Sequence, residues 1–210
     1  MKKVLFVAQN TCKVKMEVIT TDIDGVVILK PRVFSDSRGY FFESYSQKEF
    51  DEKIRPIVFV QDNESKSSYG VMRGLHYQTM PYTQSKLVRC MKGRVLDVAV
   101  DIRKGSPTYG QHVAVELSEE NHLQFFIPKG FAHGFAVLSE EAVFQYKCDE
   151  FYAPGYEGGI QLMDDALNID WHIPLGKAIL SDKDLRYLKL SDSYIDFDYN
   201  ENLYECGCNR

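Results

Sequence analysis

The stretch Ile127-Pro128-Lys129-Gly130-Phe131-Ala132-His133-Gly134-Phe135 decides how the chain is read. Pro128 presets φ and Gly130 tolerates positive φ, so the two make a tight turn. An apolar strand leaves that turn, and His133 sits in it just past the corner. A histidine so placed can line the mouth of a barrel. Strand signals dominate outward from this stretch. Val26–Leu29, Pro56–Val60, Val95–Ile102, Gln111–Leu117, His122–Ile127 and Ala142–Tyr146 are short and rich in β-branched or aromatic residues. Leu96, Val98, Val100 and Ile102 alternate along one run, which predicts that one face of that strand is core.

Turn signals separate the runs at Ser37-Arg38-Gly39, Lys92-Gly93, Lys104-Gly105-Ser106-Pro107, Ser118–Asn121 and Pro128-Lys129-Gly130. Helical signal is thin. Ser46 followed by Gln47-Lys48-Glu49-Phe50 predicts one short capped helix. Many short strands with turns between them predict an all-β sandwich, barrel or jelly roll with a few short peripheral helices.

The 210 residues suit one domain, which at this size buries roughly 70% of its unfolded surface. Twenty-five Lys and Arg against 30 Asp and Glu leave a net charge of −5, which argues against a nucleic-acid binder. Five cysteines in a chain of this length do not make a disulfide framework. Cys206 and Cys208 stand in a polar, acidic stretch and read as tail thiols. No apolar run reaches the 18 or so residues of a membrane helix. Val4–Ala8 is too short for a signal-peptide core and stops at Gln9-Asn10. The chain therefore reads as cytoplasmic, without a membrane or nucleic-acid partner. The strand pattern runs over residues 17–190. Residues 1–16 form a leader, with Met16 an alternative start, and 191–210 form an acidic tail.

Five histidines can be weighed one by one. His112, His122 and His172 read as structural or exposed. His76 lies in Met72-Arg73-Gly74-Leu75-His76-Tyr77-Gln78, and His133 in the opening stretch; their neighbours set them apart. The Pro-x-Gly-x-x-His spacing resembles the second motif of the cupin superfamily, a jelly-roll barrel. Gly70 and His76 fit the start of the first cupin motif. Its second histidine is replaced by Gln78, and Lys86, with six residues between it and Gly93, stands where a metal-binding glutamate belongs. An ammonium in place of a carboxylate repels a divalent cation and favours an anionic ligand or a developing oxyanion.

Six blocks in order carry a more specific resemblance: Phe34–Ser44, Val60–Asn63, Arg73–Gln78, Gln84–Arg89, Asp97–Arg103 and Ile127–Phe135. Together they resemble the dTDP-4-dehydrorhamnose 3,5-epimerase family, and the match runs from Glu17 to Leu190. The resemblance implies a cupin-like jelly roll. It also implies epimerisation at C3 and C5 of dTDP-4-dehydro-6-deoxy-D-glucose, giving dTDP-4-dehydro-L-rhamnose. Both protons flank the C4 ketone and are acidic for that reason. No net electrons move, so no cofactor is expected, and no Gly-x-Gly-x-x-Gly fingerprint occurs.

By this resemblance His76 is the base and Asp184, in Leu180-Ser181-Asp182-Lys183-Asp184, orients it. Lys86 stabilises the enolate, and Tyr146 returns a proton from the opposite face. Arg38 and Arg73 are expected at the diphosphate. Glu43, Gln61, Asn63, His133, Glu157 and Lys183 fall on ligand positions, and Tyr152 on the thymine-stacking position. The family implies a homodimer, with Arg38 and Glu43 supplied in trans. Where the family usually carries tryptophan, Gln161–Asp165 stands here. The alternatives are an epimerase acting on one carbon only, a metal-dependent cupin, and a non-catalytic nucleotide-sugar binding module.

Overall fold

A computed structural model describes residues 16–205. The leader up to Lys15, with Cys12, and the pair Cys206 and Cys208 lie outside the described residues. The first part of the chain forms β1 (Met16–Thr20), β2 (Val27–Pro31), a small hairpin β3 (Phe34–Asp36) and β4 (Gly39–Phe41), and helix α1 (Gln47–Lys53). Then come β5 (Gln61–Ser68), β6 (Met72–Gln78), β7 (Lys86–Lys92), β8 (Arg94–Asp101) and β9 (His112–Ser118). β10 (Gln124–Ile127), β11 (Phe131–Val137), β12 (Glu141–Cys148) and β13 (Glu157–Gly159) complete the strands. Short 3₁₀ turns follow, one of them at Asp184–Arg186.

Two antiparallel sheets face each other. One has six strands in the order β1-β2-β10-β7-β12-β5; the other has five, β13-β6-β11-β8-β9. The Pro128-Lys129-Gly130 turn carries the chain from β10 in the first sheet to β11 in the second, so the opening stretch crosses the barrel wall. This is the all-β jelly roll expected from the sequence, with one short helix. Ser46 caps that helix by accepting from Glu49 N, and Phe50, the helix's buried residue, packs against Tyr45, Phe59 and Phe126.

The space between the sheets holds Val88, Val95, Ala99, Phe125, Phe135, Val137 and Phe144, all buried. Each fully buried phenylalanine contributes roughly 1.5–3 kcal/mol of transfer free energy. Leu96, Val98, Val100 and Ile102 belong to a second apolar cluster, with Trp171, Ile195, Phe197 and Leu203. Both faces of β8 are therefore covered, rather than the one face predicted. The stretch read from its polarity as a tail packs Ile195, Phe197 and Leu203 onto the five-stranded sheet as far as they reach.

One strand expectation needs correction. Pro56–Val60 makes no ladder; Ile57 is buried, while Val58 and Val60 face solvent. The strand begins one residue later, at β5, whose sequence Gln-Asp-Asn-Glu-Ser-Lys-Ser-Ser has no apolar residue. β5 is an edge strand held by eight registered pairs to β12, from Gln61↔Cys148 to Ser68↔Glu141. Partner and position override its low β propensity.

Candidate active site

The site lies between the sheets. From the five-stranded sheet come His76 on β6, His133 on β11 and Asp97 on β8, and these three strands are neighbours. His133 is the registered partner of His76 on one side and of Ala99 on the other. β6 and β11 approach closely at Gly74 and Gly134. A Cβ on Gly74, whose φ is +125°, would lie 2.5 Å from Gly134 Cα. Only glycine fits that conformation and that spacing, and the register of His76 depends on it. From the six-stranded sheet come Lys86 on β7, Tyr146 on β12, and Gln61 and Asn63 on β5.

His76 Nε2 lies 2.6 Å from Asp184 Oδ1. Asp184 is buried, and its other oxygen accepts from Ser181 Oγ at 2.8 Å. Burial raises the Asp184 pKa, but the hydrogen bonds from His76 and Ser181 outweigh it, and the carboxyl ends below its ordinary 3.8. The Tyr187 ring meets the His76 ring edge to face, with centroids 5.6 Å apart. It rests on Gly159, the registered partner of His76, where a Cβ would stand 2.4 Å from the ring.

His133 Nε2 is 3.0 Å from both oxygens of Asp97, and both residues are buried. Burial pushes His133 down and Asp97 up, each toward its neutral form. The His133 ring stacks on Phe144 of the facing sheet at 6.3 Å, and Phe144 meets Tyr146 at 6.2 Å. These contacts join the two sheets across the site.

Lys86 Nζ stands 5.8 Å from the centroid of the Tyr146 ring. Burial lowers the Lys86 pKa, and electrostatic interaction with Cys148, Asp97 and Glu157 acts against that shift. Asp97 and Glu157 belong to the five-stranded sheet, so the ammonium feels both walls of the barrel. Burial also raises the Tyr146 pKa, which keeps the phenol protonated at neutral pH. The geometry sets an imidazole backed by a carboxylate on one wall. It sets a protonated phenol and an ammonium on the other. This arrangement can draw a proton from one face of a carbon acid, hold the enolate oxygen, and return a proton to the opposite face.

The remaining candidates form an outer ring. Glu157 pairs closely with Lys183 and accepts from Tyr152 Oη at 2.8 Å. Gln61 Nε2 donates to Asn63 Oδ1 at 3.0 Å, and Gln61 Oε1 accepts from Tyr152 N at 3.0 Å. Asn63 Nδ2 points at Cys148 Sγ, 3.8 Å away. Arg73 is exposed and donates twice to Ser67 Oγ at 3.3 Å. Arg38 and Glu43 are not gathered with them. Arg38 pairs with Asp36 on its own exposed hairpin at 2.6 Å, and Glu43 lines a separate cavity with Tyr45, Phe50 and Gln124.

The cupin fold implies a metal, and the residues here do not suit one. Gln78 spends its amide on the backbone: Nε2 donates to Tyr82 O and Phe151 O, and Oε1 accepts from Ala153 N. Lys86 presents an ammonium. Among the described residues no group of three or more His, Cys, Asp or Glu side chains could hold a metal ion.

The dTDP-4-dehydrorhamnose 3,5-epimerase family model matches residues 20–192. The chain belongs to this epimerase family. It is 55% identical over 185 residues to the dTDP-4-dehydrorhamnose 3,5-epimerase of Shigella flexneri, covering 88% of this chain and 99% of that one. A crystal structure of dTDP-6-deoxy-D-glucose-3,5-epimerase from Legionella pneumophila Philadelphia 1 in complex with dTDP-4-keto-L-rhamnose superposes with a TM-score of 0.84. It is 48% identical and covers 89% of this chain and 100% of its own. The dTDP-4-dehydrorhamnose 3-epimerase of Streptomyces niveus is 38% identical over 172 residues, 81% of this chain and 82% of that one.

Trp171 packs beside the Gln161–Asp165 segment, in one apolar cluster with Leu162. Its Nε1 donates to Leu162 O at 3.0 Å from a buried position. Three neighbours of the site escaped the sequence reading: Asp97, Ser181 and Tyr187. Asp97 had a visible signal, being a carboxylate inside the apolar run Val95–Val100, where a charge needs a partner. Tyr187 had none, because its place depends on the side chain that Gly159 lacks.

Proposed function

We propose that the chain epimerises dTDP-4-dehydro-6-deoxy-D-glucose at C3 and C5 to dTDP-4-dehydro-L-rhamnose, as an isomerase of dTDP-L-rhamnose synthesis. The observation that carries this reading is the opposition of His76, on one sheet and backed by Asp184, to Tyr146 and Lys86 on the other. Inversion beside a ketone needs these four functions on two faces. His76 takes the proton from C3 or C5, and the C–H electron pair becomes the enolate with its charge on the C4 oxygen. Asp184 holds the imidazolium that forms. Lys86 stabilises the oxyanion. Tyr146 gives a proton to the opposite face and recovers one from solvent, while His76 releases its proton. The net change is configuration alone.

Arg73, Gln61, Asn63, His133, Tyr152, Glu157 and Lys183 are assigned to the sugar nucleotide, with Tyr152, 53% exposed, free to stack on the base. Arg38 and Glu43 fit a homodimer in which each subunit completes part of its partner's nucleotide site. The β3–β4 hairpin that carries Arg38 supports this, since Phe34, Tyr40 and Phe41 are exposed on it. The cytoplasm is the compartment assigned. Among the described residues no helix is long and apolar enough to cross a membrane.

The Streptomyces niveus relative keeps a second reading in view, inversion at C3 alone. Incubation with dTDP-4-dehydro-6-deoxy-D-glucose, followed by NMR of the product, separates the readings. Appearance of the L-rhamno configuration supports the first; a product inverted at one carbon supports the second. No turnover leaves a binding module.

A further inference from the structure

The family match ends at residue 192, yet the chain beyond it reaches back to the site. Leu203 is buried in the apolar cluster on the five-stranded sheet, which fixes Tyr204 in place. The Tyr204 hydroxyl lies 2.8 Å from Ser85 Oγ and accepts from Lys129 N at 3.2 Å. Its ring lies under the Arg55 guanidinium at 3.6 Å and near Lys129 Nζ at 5.2 Å. Ser85 is fully buried and immediately precedes Lys86. Lys129 lies in the turn that carries the chain from β10 across to β11 and His133. Lys86 pairs with Ile127 in the ladder, so the two anchoring points are neighbours at the same end of β7 and β10. Asp149 closes the knot. It accepts from Ser85 N at 2.5 Å and faces Lys129 Nζ at 3.8 Å.

We infer that Tyr204 is a positioning residue for this site: it fastens the start of β7 to the β10–β11 turn and so fixes Lys86 on one sheet relative to His133 on the other. It touches neither of them. It acts through Ser85 and Lys129, one residue and four residues away in the chain. The inference rests on the epimerase reading only for its kinetic consequence; the geometry it asserts does not need that reading.

The test compares the full-length wild type with Tyr204→Phe, which keeps the ring and removes the hydroxyl. In Tyr204→Phe, kcat should fall about 10-fold, the cost of a small displacement of a catalytic group, while KM changes less than about twofold. A Tyr204→Phe protein whose thermal midpoint falls while its kcat stays at the wild-type value would show a merely structural role and overturn the inference. The ¹⁵N resonance of Lys86 Nζ gives a readout independent of turnover. It should shift between wild type and Tyr204→Phe, and identical resonances would also overturn the inference. A wild type with no epimerase turnover counts against the proposed function instead, and the resonance then decides on Tyr204.

Discussion

His76 and Asp184 stand 108 positions apart in the chain, and their side chains meet at 2.6 Å. Strand β6 delivers the imidazole, and a 3₁₀ turn after the last strand delivers the carboxylate. Ser181 holds the second carboxylate oxygen, so the pair is oriented from both ends. Replacing Asp184 with Asn keeps the shape and removes the charge that supports an imidazolium. Turnover should fall by about 10²-fold or more, with KM little changed. Equal kcat in the two proteins would remove Asp184 from the mechanism.

The same substitution has a signature in acid stability. The folded-state pKa of Asp184 lies below its unfolded value. Its contribution to stability is therefore complete above about pH 3.9 and disappears as pH falls through the lower, folded value. The gap in unfolding free energy between wild type and Asp184→Asn should narrow in that acid window. Urea midpoints measured across it give the slope, and a constant gap from neutral to acid pH would contradict the assignment.

Tyr146 faces the dyad from the other sheet. Tyr146→Phe should still exchange the substrate's acidic protons with solvent, because His76 and Lys86 remain, but should not complete inversion. ¹H NMR in heavy water reads both events. Unchanged product formation would exclude Tyr146 as the acid.

The role proposed for Lys86 places it on the alkaline side of the pH profile. Its ammonium is the form that stabilises an enolate, and burial lowers its pKa from 10.5. Activity should therefore decline with rising pH below the ordinary lysine range. Burial pushes the Tyr146 phenol up from 10.0, the opposite direction. Lys86→Ala should lower kcat by about 10²-fold or more and abolish that limb. A limb at or above 10.5 would mean that Lys86 is not the group titrating.

The sequence exposes the parts of this molecule that rest on local chemistry. The turn at Pro128-Lys129-Gly130, the alternation in β8 and the Ser46 cap all announce themselves, and with them the jelly roll. The dyad is legible only through the resemblance, since nothing in Leu-Ser-Asp-Lys-Asp by itself says that the second aspartate reaches β6. The strand β5 is hidden because its order comes from its pairing with β12 rather than from its side chains. Ile195, Phe197 and Leu203 are too widely spaced among acids to announce a buried face. Arg38 and Glu43 stand apart from the other candidates in a single chain, so the place proposed for them in the site would require a second copy.

The central claim is that one site exchanges protons at both carbons beside the ketone. Incubation of the enzyme with dTDP-4-dehydro-6-deoxy-D-glucose in heavy water, read by NMR, tests it directly. The account predicts deuterium at C3 and at C5 of a product with both centres inverted. Deuterium at one carbon only would contradict it.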